Sequence, residues 1–119
     1  MARIGMLLTE GPWQTENYKV FTKIAEAALD KGHEVRAFWY LDGVYNSIKH
    51  QKFPGTTDEN LPVSGMKRLV AKGAKIIACG TCVNGRGLEG GKEFIEGIKV
   101  GGLPDFAEIM GEVDTLVTL

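Results

Sequence analysis

The 119 residues fit one domain, expected over 1–119, and are enough to enclose a hydrophobic core. A hydrophobic share of 44% and a charged share of 24% are ordinary for a water-soluble fold, and no apolar run approaches the length of a membrane span. A net charge of −1 excludes an electrostatic case for binding nucleic acid or an anionic membrane.

Met1-Ala2-Arg3-Ile4 runs directly into a strand-like segment without the pattern of a secretory signal, so a cytoplasmic protein is expected. Ile4–Thr9 is short and mostly apolar, as in a buried strand. Glu10-Gly11-Pro12-Trp13 breaks it. A helix is predicted over Thr15–Lys31, because Phe21, Ile24, Ala25, Ala28 and Leu29 recur on one face and Lys31-Gly32 stops it. Glu34–Leu41, rich in aromatic and β-branched residues, is the second strand, closed by the Asp42-Gly43 turn.

Tyr45–Leu61 has no clean period and reads as a short helical piece followed by a mobile loop. Pro62–Lys72 is a helix with Met66, Leu69 and Val70 facing inward and Gly73 as its cap. Lys75–Cys79 is the third strand. A short helix or turn is expected over Cys82–Ile95, weakened by its glycines, and a small strand over Ile98–Val100. Leu103–Gly111 is a helix with Pro104 in its first turn and Asp105 at its positive end, and Val113–Leu119 is the last strand. Strand and helix alternate with connections long enough for crossovers. The fold class is therefore α/β, three layers, with a mostly parallel five-stranded sheet. The ends of the first three strands share one edge, so Glu10–Trp13, Asp42–Tyr45 and Cys79–Arg86 should converge.

The chemistry concentrates in Cys79-Gly80-Thr81-Cys82, which holds both cysteines of the chain. Open α/β sheets place their ligands at the carboxyl ends of strands, where Cys79 falls. A helix beginning near Thr81 would favour a thiolate there. A C-x-x-C pair in a chain with no signal pattern points to redox, sulfur or metal chemistry. Zinc would need four ligands, and the pair plus the distant His33 and His50 makes a weak set, so no metal is expected. No phosphate-loop pattern opens a helix, and no cofactor is expected. The plain alternative for Cys79 is an inert buried thiol, and for Cys82 a small core residue. Arg86 reads as a solvated charge or as a group that steers an anionic donor or lowers a thiol pKa. Trp13 and Trp39 read as packing or subunit-contact residues.

The segment from Cys79 to Leu88, Cys-Gly-Thr-Cys-Val-Asn-Gly-Arg-Gly-Leu, resembles the active-site segment of the DsrE/TusD sulfur-relay family. So do Phe38-Trp-Tyr-Leu-Asp-Gly-Val44 and the ending with Ile98–Leu103 and Val113–Thr118. The resemblance implies a flavodoxin-like, DsrEFH-like fold. It implies that Cys79 carries sulfur as a persulfide and passes it on, with Arg86 and Gly87 at the family's arginine and glycine. Gly80, Thr81 and Arg86 would contact the incoming sulfur. Sulfur donor and acceptor proteins and a homotrimer or homohexamer are implied too, with Trp39, Tyr40, Tyr45 and Phe53 available for subunit contacts. Cys82 departs from the family's usual small residue and could resolve the persulfide into a disulfide. A dithiol/disulfide oxidoreductase using Cys79 and Cys82, and a non-enzymatic oligomeric module with inert cysteines, are the competing readings.

Overall fold

The computed structural model describes residues 1–51, 62–89 and 92–119. Five strands form one parallel sheet: β1 (Arg3–Leu8), β2 (Glu34–Trp39), β3 (Lys75–Cys79), β4 (Lys99–Gly101) and β5 (Thr115–Thr118), in the order β4-β3-β2-β1-β5. The chain steps outward from β1 to β4, then crosses back to lay β5 beside β1. Helices α1 (Asn17–Asp30), α2 (Pro62–Ala71), α3 (Gly80–Gly85) and α4 (Leu103–Glu112) fill the crossovers, with a 3₁₀ helix over Leu41–Ser47 after β2.

Adjacent residues of a strand point to opposite faces, which fixes the layers. Trp39 meets Phe21 of α1 edge-on with centroids 6.1 Å apart, whereas Phe38 stacks on Phe106 of α4 at 5.1 Å. So α1 lies on one face and α4 on the other, giving the expected α/β/α sandwich. The α1 face is the dry one: Met6, Leu8, Val35, Ala37, Trp39 and Ala78 are fully buried beneath Phe21, Ala25, Met66 and Leu69. Each large side chain so removed from water contributes about 1.5–3 kcal/mol before entropy is set against it.

The predicted elements all form, with shifted ends. β3 has the expected bounds. Helix α2 closes as read: Gly73 has φ +99°, and Ala74 N–H reaches back to Leu69 O at 2.9 Å. β2 ends at Trp39, two residues early, because Leu41 turns into the left-handed region at φ 53° to open the 3₁₀ helix. The short helix begins at Gly80 instead of Cys82 and stops at Gly85. β5 starts at Thr115 because Val113 N–H still closes α4 on Ile109 O. The loop expected after the helical piece falls largely on residues 52–61, outside the described residues.

Candidate functional site: a thiol pair at the carboxyl edge of the sheet

The three segments expected to converge do meet. Asn46 Nδ2, in the turn after β2, donates to Glu10 O at 3.0 Å and to Gly43 O at 2.9 Å. Asp42 accepts from Gln14 Nε2 on one oxygen at 3.2 Å and from Arg86 Nε on the other at 2.7 Å. One carboxylate thus ties the loop after β1 to the segment after α3. Gly43 permits the approach: a Cβ there would lie 2.1 Å from Leu8 O.

Cys79 is the last residue of β3 and the N-cap of α3; Cys82 lies on the first turn of that helix. Both are free thiols, 2% and 7% exposed. Gly80 packs closely, since a Cβ there would meet Gly101 O at 3.1 Å across the β3–β4 contact. Thr81 is exposed at the mouth of the site. Leu41 N–H donates to Cys82 Sγ at 3.2 Å, and the left-handed turn at Leu41 supplies that contact. Burial pushes the Cys82 thiol up. The Leu41 N–H pulls it down, the hydrogen-bonding Cys79 sulfur pushes it up again, and the Arg86 charge pulls weakly the other way.

Both cysteines line a partly open cleft of about 350 Å³. Tyr40 flanks it from the end of β2, Thr81 from α3, and Gly102, Leu103 and Pro104 from the entry to α4. The last three are absent from the sequence-derived site. They arrive through the register that pairs Cys79 with Gly101, which no local pattern announces. Gly101 is itself confined: a Cβ would meet an Asp105 carboxylate oxygen at 2.5 Å.

Arg86 is neither a solvated charge nor an open clamp. Its Nε holds Asp42 and its Nη1 donates to Cys82 O at 3.2 Å. Asp42 stands in the turn after β2 and pairs with Arg86 behind the cysteines. Trp39 is wholly buried, so it packs the core and offers no surface for subunit contact. Trp13 is about half exposed, with Tyr18 beside it at 6.2 Å. Phe53 lies outside the described residues. His33 Nδ1 accepts from Ala2 N at 2.9 Å, at the far edge of the sheet. Among the described residues no three His, Cys, Asp or Glu side chains gather as a metal site would require. Nor is any helix among them long and apolar enough to cross a membrane.

An open parallel sheet with a pair of free thiols at the carboxyl end of an inner strand defines a class of α/β proteins built around a cysteine. The chain belongs to the DsrE/DsrF-like family, whose sequence profile matches residues 2–119. An uncharacterised protein of Methanopyrus kandleri is 30% identical over 114 residues, covering 96% of this chain and 91% of that one. DsrE of Allochromatium vinosum, described as a candidate sulfurtransferase, is 42% identical over 48 residues, covering 40% of this chain and 37% of its own. In fold, the ychN protein of Escherichia coli superposes with a TM-score of 0.90 at 24% identity, covering the whole of both chains.

Proposed function

We propose that this chain is a sulfur carrier that holds a sulfane atom on Cys79 as a persulfide and hands it to an acceptor thiol. Family membership and the partial likeness to a candidate sulfurtransferase support a sulfur-relay role. The observation that carries the particular assignment is the setting of Cys79, in the lining of a cleft and at a helix N-cap, beside a second thiol whose ionisation burial disfavours.

In loading, the Cys79 thiolate attacks the outer sulfur of a donor persulfide. A bond forms from Sγ to that sulfane sulfur, the donor's sulfur–sulfur bond breaks, and the donor leaves as its thiolate. In unloading, an acceptor thiolate attacks the same outer sulfur and Cys79 departs as thiolate. No net oxidation occurs. A persulfide also extends the reactive atom by about 2 Å, the length of a sulfur–sulfur bond. That reach matters for a residue only 2% exposed. Gly80 and Thr81 shape the mouth, and Arg86 fixes α3 against the Asp42 turn. Donor and acceptor are proteins or small thiols of a reducing, cytoplasmic setting, where free cysteines persist. The family resemblance extends the proposal to a homotrimer or homohexamer.

A second reading rests on the contact between the thiols. Cys82 attacks the inner sulfur of the persulfide, a Cys79–Cys82 disulfide forms, and sulfide leaves. The raised Cys82 thiol makes this slow at neutral pH and favours storage. Peptide mass spectrometry after incubation with a persulfide donor separates the readings. One added sulfur on Cys79, lost in Cys79→Ser with the fold retained, supports the carrier. Rapid conversion to the disulfide supports a dithiol redox role, and no adduct on either thiol supports an inert module.

A further inference from the structure

We infer that Asp42 is a positioning residue for Cys82: by pairing with Arg86 it withholds that positive charge from the Cys82 sulfur, and so restrains the step that would turn a Cys79 persulfide into a disulfide. The inference rests on the reading of Cys79 as the loading thiol and names what sets the lifetime of the sulfur held there.

The contacts close a ring around Cys82. Leu41 N–H donates to its Sγ at 3.2 Å, from a left-handed backbone with φ 53°. The next residue, Asp42, accepts from Arg86 Nε at 2.7 Å, and Arg86 Nη1 returns to the Cys82 carbonyl at 3.2 Å. One turn therefore meets the thiol with a backbone donor and, one residue later, holds the cation that acts on it. Arg86 follows Cys82 by four residues, the spacing that brings side chains together along a helix. Its planar fork is spent on the carboxylate and the carbonyl. The second oxygen of Asp42 accepts from Gln14 Nε2 at 3.2 Å, which anchors the carboxylate to the loop after β1.

The charges on Cys82 have definite signs. The Arg86 charge and the Leu41 N–H favour its thiolate, while burial and the Cys79 sulfur oppose it. Asp42 stands on the guanidinium and cancels part of its pull, and Tyr45 also faces that group. The Cys79 sulfur is already a hydrogen-bond partner of Cys82, so ionisation of Cys82, more than distance, governs its attack. In that attack the Cys82 thiolate bonds to Cys79 Sγ and the bond from Sγ to the sulfane atom breaks. The electron pair leaves on hydrosulfide. Both cysteine sulfurs are oxidised and the sulfane atom is reduced, with no outside oxidant.

The test compares the full-length chain with Asp42→Asn, Asp42→Glu and Arg86→Gln, each checked for its fold by circular dichroism. Peptide mass spectrometry reads two quantities: the pH profile of iodoacetamide labelling at Cys82, and the decay of sulfur loaded on Cys79 from a persulfide donor. Asp42→Asn leaves Arg86 its charge and removes the opposing one. Labelling of Cys82 at neutral pH and decay of the persulfide should both quicken about two- to fivefold, the scale of a partly exposed pair, and more at low salt. Arg86→Gln should slow both, and Asp42→Glu should return both to the wild-type values. A turn that had merely loosened would quicken both in the Asn and Gln variants alike. That result overturns the inference, as does an Asp42→Asn profile identical to wild type, or a shifted Cys82 profile with unchanged persulfide decay. Should Arg86→Gln fail to fold, the contrast between Asp42→Asn and Asp42→Glu decides. If labelling shifts as expected but Cys79 takes up no sulfur even in the wild type, the positioning of Cys82 stands and the carrier reading fails.

Discussion

Cys79 and Cys82 are three residues apart, yet their surroundings differ. Cys82 sits against Leu41 N–H, the Cys79 sulfur and the Arg86 charge, and burial outweighs the two groups that would help it ionise. Its alkylation rate should therefore rise only at a higher pH than that of a free cysteine peptide, read from the pH profile of iodoacetamide labelling at the Cys82 peptide. Cys82→Ser should lengthen the life of a persulfide on Cys79 several-fold; unchanged decay would remove its resolving role. Asp42 is the other titrating residue of the site. Arg86 first, and then Gln14, hold its carboxyl below the usual range. A carboxyl depressed in the folded state stabilises above its unfolded pKa, and that contribution is lost as the pH falls through the folded value. Asp42→Asn should accordingly cost more stability at neutral pH than in acid, the difference in chemical denaturation shrinking as the pH falls through the folded carboxyl's depressed value.

The elements that carry the site differ in how far composition announces them. β3 has the bounds its apolar run predicts, because Ile76, Ile77 and Ala78 between Lys75 and the Gly80 turn leave no other period. The 3₁₀ helix after β2 is different. It depends on one left-handed residue, Leu41, at which nothing in the side chain advertises that backbone. Asp42-Gly43 was legible as a turn, but its reach to Arg86 depends on where α3 sits. The glycine is the test of that packing. Gly43→Ala would drive a methyl into Leu8 O, 2.1 Å away. We expect at least about 3 kcal/mol of destabilisation, at the upper end for overpacking, because the obstacle is backbone in a central strand. Urea denaturation measures it, and an unaffected midpoint would show that the turn can shift off β1. The wall of Gly102, Leu103 and Pro104 was hidden for a further reason. It lies across a three-residue edge strand, and only the strand register brings it to Cys79.

At the scale of the whole molecule, the reversal after β4 leaves the two faces of the sheet unequal. One is closed by α1 and α2, while among the described helices α4, ten residues long, spans the other. Leu103, Met110 and Leu116 stay substantially exposed on α4 and β5. Surface of this kind suits the proposed self-association better than the second strand, whose tryptophan is buried. Light scattering at micromolar concentration should give the mass of three or six chains, and a monomer would count against it. The same topology puts the thiols at the edge where the strands end. The most direct test of the carrier reading follows isotopically labelled sulfur from a persulfide donor through this chain to an added acceptor thiol, with peptides sampled over time. The label should appear first on the Cys79 peptide and then on the acceptor, leaving both cysteines reduced. Label released only as sulfide alongside a Cys79–Cys82 disulfide, or reaching the acceptor without passing through Cys79, would contradict it.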